Sequence, residues 1–134
     1  MLKHEKYLFY LLLLLALSIV VIPRYYITGD GGSHVYNAKV LFDYVFDHDR
    51  DFYKEFYVIN RSIDPNWMSH LVIGFFLQFF PTWLADKSFQ IVYILSFAFG
   101  FRYMICSVEK NNSFLSFLFF PFLFTLPFQQ GFYN

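Results

Sequence analysis

Residues 7–22, "YLFYLLLLLALSIVVI", contain no charged side chain, and this run decides the solvent in which the chain folds. A stretch with no water-facing side must lie against other apolar surface or in lipid. Three further runs resemble it: "WMSHLVIGFFLQFFPTWL" (67–84), "SFQIVYILSFAFGFRYMI" (88–105) and "SFLSFLFFPFLFTLPF" (113–128). With 57% hydrophobic and only 15% charged residues among 134, a soluble domain could not hide so much apolar surface, so a bilayer is the expected partner. The fold read from this pattern is all-α. It is a polytopic helical membrane protein of about four transmembrane helices, at 7–24, 67–84, 88–105 and 113–128, with an external loop at 25–66.

The details of each run refine that reading. Sixteen residues at 1.5 Å each rise about 24 Å, short of a roughly 30 Å hydrocarbon core, so the first span borrows its neighbours. Pro23, Arg24 and two tyrosines stand where a signal peptidase needs small residues, which favours an uncleaved anchor. Tryptophans bracket the second run, as befits the water–lipid boundary, and Asp86 and Lys87 end it. Pro121 and Pro127 predict a kinked or broken fourth helix. Lys3 and Lys6 outnumber Arg24 across the first span, which puts the amino terminus in the cytoplasm and the long loop outside. Nothing polar closes the chain after "QQGFYN", so the sequence reads as the amino-terminal transmembrane portion of a larger membrane protein. The remaining transmembrane helices of that protein are then partners.

Formal charge is zero and the basic residues are scattered, which excludes the counterion-releasing surface of a nucleic-acid binder. The single cysteine, Cys106, rules out an internal disulfide and reads as a packing residue. There is no Walker loop, dinucleotide fingerprint, paired CxxC or H-E-x-x-H segment.

One stretch stands apart: "TGDGGSHVYNAKVL", residues 28–41. Beyond it Val35, Ala38, Phe42, Val45 and Phe46 fall within one arc of a 3.6-residue wheel, predicting an amphipathic helix along the membrane surface. Asp30, His34 and Asn37 share a neighbouring stripe of that wheel. Two roles for Asp30 stay open and are compatible: an N-cap, which Ser33 could also supply, and a functional carboxylate. His34 alone reads as interfacial packing, and Asn37 alone is uninformative.

The segments "GDGGSHVYNAKVL", "DPNWMSHLVIGFF" and "GFYN", after a short first span, resemble the amino-terminal part of GT-C-type integral membrane glycosyltransferases, in particular bacterial members with an Asp-Gly-x-x-His-x-Tyr-Asn pattern. The resemblance covers nearly the whole chain. It implies a multi-pass protein of the bacterial inner membrane that transfers a sugar from a polyprenyl-phosphate-linked donor at the external face. It also implies that Asp30 is the loop carboxylate, acting as general base or helping to hold a divalent metal ion. Better-known members often carry paired acids there; two glycines follow Asp30 instead, which leaves His34 as a candidate second metal ligand.

Other polar residues fit this frame. "DPNWMSH" puts Asp64, Asn66 and His70 at the external mouth of the second span, and His70 is a candidate to share a cavity with Asp30 and His34. Arg102, expected at the external end of the third span, is a candidate for donor phosphate, with snorkelling as its structural role. Gln78 reads as a helix–helix hydrogen bonder. "DHDRDFYKEFY" (47–57) reads as solvated surface, and Asn60 and Asn111 begin chance-level glycosylation triplets. The alternatives to a transferase are a non-catalytic membrane component of polysaccharide export or assembly, and a small four-span scaffold.

Overall fold

The computed structural model describes residues 4–46, 50–60, 62 and 67–131, and among them every regular element is helical. In order these are α1 (Glu5–Val21), α2 (Gly31–Phe46), α3 (Arg50–Phe56), α4 (Trp67–Leu77), α5 (Thr82–Val108), a 3-10 helix (Lys110–Phe122) and α6 (Leu126–Gln130). The chain forms two compact units. One holds Met1–Tyr26 with Gln90–Leu126, the other Ile27–Phe89 with Pro127–Asn134.

In the first unit α1 and α5 run antiparallel. Arg102, late in α5, bonds Glu5 at the start of α1, while Gln90 Nε2 donates to the Tyr26 carbonyl at 3.3 Å beyond the other end. The 3-10 helix runs alongside α1, with Phe117 and Phe120 set 6.2 and 5.5 Å from the Phe9 ring. Phe9, Phe119 and Leu123 are the buried centre, and aromatic edges meeting aromatic faces fill it. Leu8, Leu11, Leu14, Leu15 and Ile19 of α1 point outward, so the unit is apolar outside as well as inside.

The second unit is built on α2, which packs against α3 and α4. Val35 and Ala38 meet Ile73 and Phe89 in its core. Close approach of α2 and α4 depends on Gly74, where a methyl group would overlap the Phe42 ring. Of the predicted arc, Val35 and Ala38 are buried and Phe42 half-buried, but Val45 and Phe46 are exposed.

Several expected boundaries are corrected. The break between the second and third apolar runs falls at Gln78–Pro81 instead of Asp86–Lys87. Pro81 has no N–H to extend α4, and its carbonyl accepts the first amides of the next helix, from Leu84 and Ala85. Lys87 is then absorbed within α5, its ammonium 5.6 Å from the Trp83 ring. The run at 113–128 is broken, as its prolines predict, into the 3-10 helix and α6. Among the described residues, α5 is the one helix long and apolar enough to cross a membrane: its best 18-residue window has a mean hydropathy of 1.7 and is only 11% buried. At 11 residues α4 rises about 17 Å, less than a hydrocarbon core.

Candidate functional site

The residues "TGDGG" form a turn whose partner lies a hundred positions away. The Asp30 carbonyl accepts the amides of Ser33 at 3.0 Å and His34 at 3.1 Å, which starts α2. In the other direction, Gly29 N–H donates to the Gln129 carbonyl at 3.0 Å and Asp30 N–H to the Gln130 carbonyl at 2.7 Å. Glycine is required on the Gly131 side of this clasp, and little room is left for a side chain on the Gly29 side. A Cβ on Gly29 would sit 3.1 Å from the Gln130 carbonyl oxygen; one on Gly131, whose φ is +78°, would sit 2.7 Å from the Gly31 nitrogen. Asp30 therefore caps α2 through its backbone. Its side chain is exposed, and among the described residues its carboxylate takes none of the helix's first amides.

One turn on, His34 is buried and its Nδ1 lies 3.2 Å from Nε2 of His70 on α4, with ring centroids 5.3 Å apart. A single proton fits between two imidazole nitrogens, so one ring donates and the other accepts. Doubly protonated, the pair would set two N–H groups against each other.

His70 also lines a cleft of about 280 Å³ in the second unit. Val40, Leu41, Val58 and Ile59 supply its apolar surface; Asn37, Tyr44, Tyr57, Asn60 and Trp67 supply aromatic faces and amides. Several of these side chains are held in place. Trp67 Nε1–H donates to the Ser62 carbonyl at 3.0 Å, which leaves the indole faces for packing. The Asn60 side-chain oxygen accepts from Ser62 N–H at 3.0 Å and Ser62 Oγ–H at 2.8 Å, directing the amide nitrogen away from the turn. The Tyr57 and Tyr36 hydroxyls lie 2.6 Å apart, and that hydrogen bond pushes the Tyr57 hydroxyl above the ordinary tyrosine value, keeping it neutral.

The structure thus joins His34 to His70 and brings Asn37 and His70 to one cleft, whereas Asp30 is not among the cleft's lining residues. Asp64 and Asn66 lie outside the described residues. Arg102, the candidate for donor phosphate, is engaged within the protein. It belongs to the first unit, at the amino-terminal end of α1, where Nη1 donates to Glu5 Oε1 and Ser116 Oγ, both at 2.8 Å, and the guanidinium stacks 4.5 Å from the Phe9 ring. For a divalent metal the donor set does not fit: among the described residues no three His, Cys, Asp or Glu groups gather, and the His34 Nδ1 is turned to His70.

Sequence reasoning missed Tyr44, Tyr57, Asn60 and Trp67 as site residues. A signal for Tyr44 was present, since Asn37, Val40, Leu41 and Tyr44 follow the i, i+3, i+4, i+7 spacing of one helix face. Comparison of this chain with known protein families, with curated proteins and with solved structures finds no match.

Proposed function

We propose that the protein is a multi-pass membrane glycosyltransferase of the GT-C type, moving a sugar from a polyprenyl-phosphate-linked donor at the external membrane face. In this reading α1, α5 and the 3-10 segment lie in the bilayer and the second unit carries the external loop. The observation that carries it is the clasp. Asp30 and Gln130, drawn from two of the stretches that bear the resemblance and its flank, are locked backbone to backbone, and the carboxylate between them is left exposed and outside the helix cap. Fixing a backbone so firmly around an uncommitted acid is what positioning a base requires.

The chemistry is an acceptor hydroxyl oxygen attacking the anomeric carbon of the donor. The polyprenyl phosphate leaves with the electrons of the broken carbon–oxygen bond, and the Asp30 carboxylate takes the hydroxyl proton. Asp30→Asn is expected to lower donor-dependent transfer at least about 100-fold, the low end for loss of a general base, with membrane insertion unchanged. Full transfer by that variant overturns the role of Asp30.

The placement of Asp30 outside the cleft's lining favours one second reading, a carrier- or polysaccharide-binding component without turnover. Turnover of a radiolabelled polyprenyl-phosphate sugar by the unaltered protein in membranes separates the two.

A further inference from the structure

The chemistry of the cleft is more specific than a generic small-molecule site. Its volume, about 280 Å³, lies at the bottom of the range of roughly 300–1,000 Å³ typical of ligand pockets, enough for one ring and little more. Its aromatic side chains, Tyr44, Tyr57 and Trp67, come with two side-chain amides, Asn37 and Asn60, and the imidazole of His70. Among the described residues no lysine, arginine, aspartate or glutamate lines it.

We infer that this cleft is the binding site for a neutral pyranose ring of the sugar acceptor, an assignment that rests on the sugar-transfer reading and narrows it. A pyranose has a face of C–H groups and a rim of hydroxyls. Aromatic faces match the first through dispersion and burial. Amides match the second: Asn37 carries both a donor and an acceptor, and Asn60, whose oxygen is engaged by Ser62, presents its N–H donors to neighbouring hydroxyls. An acyl chain entering the same space would strip water from Asn37 and Asn60 and return no hydrogen bond to them, a penalty that favours the polyhydroxyl ligand. A donor sugar carries a phosphate on its anomeric carbon, and among the described lining residues no cationic side chain answers that charge. The acceptor ring is therefore the better occupant. For the same reason uronic acids and sugar phosphates are the weaker ligands, because an anion would be desolvated against the neutral groups described there.

Trp67 gives the test a direct readout. The chain has two tryptophans, so Trp83→Phe leaves Trp67 as sole emitter. That protein, in a detergent without a sugar headgroup, is titrated with methyl glucoside, methyl mannoside, methyl galactoside and N-acetylglucosamine, then with glucuronate and glucose 1-phosphate. At least one neutral sugar is expected to change Trp67 emission saturably, and the two anions to bind at least about tenfold more weakly. Asn37→Ala and Asn60→Ala, each introduced separately, are expected to weaken the neutral sugar by about tenfold. No saturable response to any neutral sugar in the parent overturns the inference, and so does equal binding of either anion. Should sugars bind while no donor is ever turned over, the transfer reading fails and the subsite stands. Turnover with a silent cleft removes the subsite alone.

Discussion

Gly131 and Gly32 look alike in sequence and differ in what surrounds them. Gly131 holds φ at +78°, and an added Cβ would lie 2.7 Å from the Gly31 nitrogen and 3.0 Å from that of Asp30. At Gly32, inside the first turn of α2, an added Cβ would meet nothing within 4 Å. Gly131→Ala is therefore expected to destabilise the protein by roughly 1–3 kcal/mol and to speed hydrogen exchange at the Gly29 and Asp30 amides. Gly32→Ala, which exchanges a poor helix former for the best one, should leave exchange at those amides unchanged and be neutral or stabilising by up to about 1 kcal/mol. Equal effects of the two substitutions in thermal unfolding would show that the clasp is not what needs glycine. Sequence alone marked this loop as a turn beside an acid. It could not show that the turn's partner is Gln129–Gly131, because a backbone-to-backbone contact leaves no trace in side-chain pattern.

Helix α2 was legible and α4 was not, for reasons that lie in their surroundings. The wheel of α2 marks Val35, Ala38 and Phe42 as one apolar face, as a helix requires, but the cover expected for that face was the membrane surface and the structure sets Val35 and Ala38 against Ile73 and Phe89. Val45 and Phe46, at the end of the same arc, stay exposed. Residues 67–84 read as one span because hydropathy sums apolar content without regard to Pro81, which divides the run. The half that remains, α4, is held by its fit to α2. Gly74→Ala tests that fit: the added methyl meets the Phe42 ring and should cost about 1–3 kcal/mol of stability. Pairing it with Phe42→Leu should recover part of the loss, and the coupling between the two sites in a double-mutant cycle should exceed roughly 0.5 kcal/mol. Strict additivity of the two substitutions in thermal melts would rule out the contact as the cause.

At the scale of the whole chain, the apolar composition correctly indicated helices, the regular structure found among the described residues, but hid a charge pair that organises the first unit. Glu5 and Arg102 stand 97 positions apart, each looking like the isolated flank of a greasy run, and no spacing rule connects them. In the structure Glu5 is buried, receives Arg102 on one oxygen at 2.8 Å and the Ser113 hydroxyl on the other at 2.7 Å, and so ties α1 to α5 and to the 3-10 helix. A buried pair of this kind contributes little over an apolar replacement of both partners, whereas removing one strands the other's charge. Arg102→Met alone is accordingly expected to destabilise the protein by about 3–5 kcal/mol, and Glu5→Gln alone by a comparable amount. Joined in one chain, the two substitutions should return most of that stability, read as resistance to thermal unfolding in detergent. The same double variant separates the structural role of Arg102 from the donor contact proposed for it. If it regains stability and keeps the proposed sugar transfer, the guanidinium serves the fold; if it regains stability but loses that transfer, the donor contact proposed for Arg102 is supported.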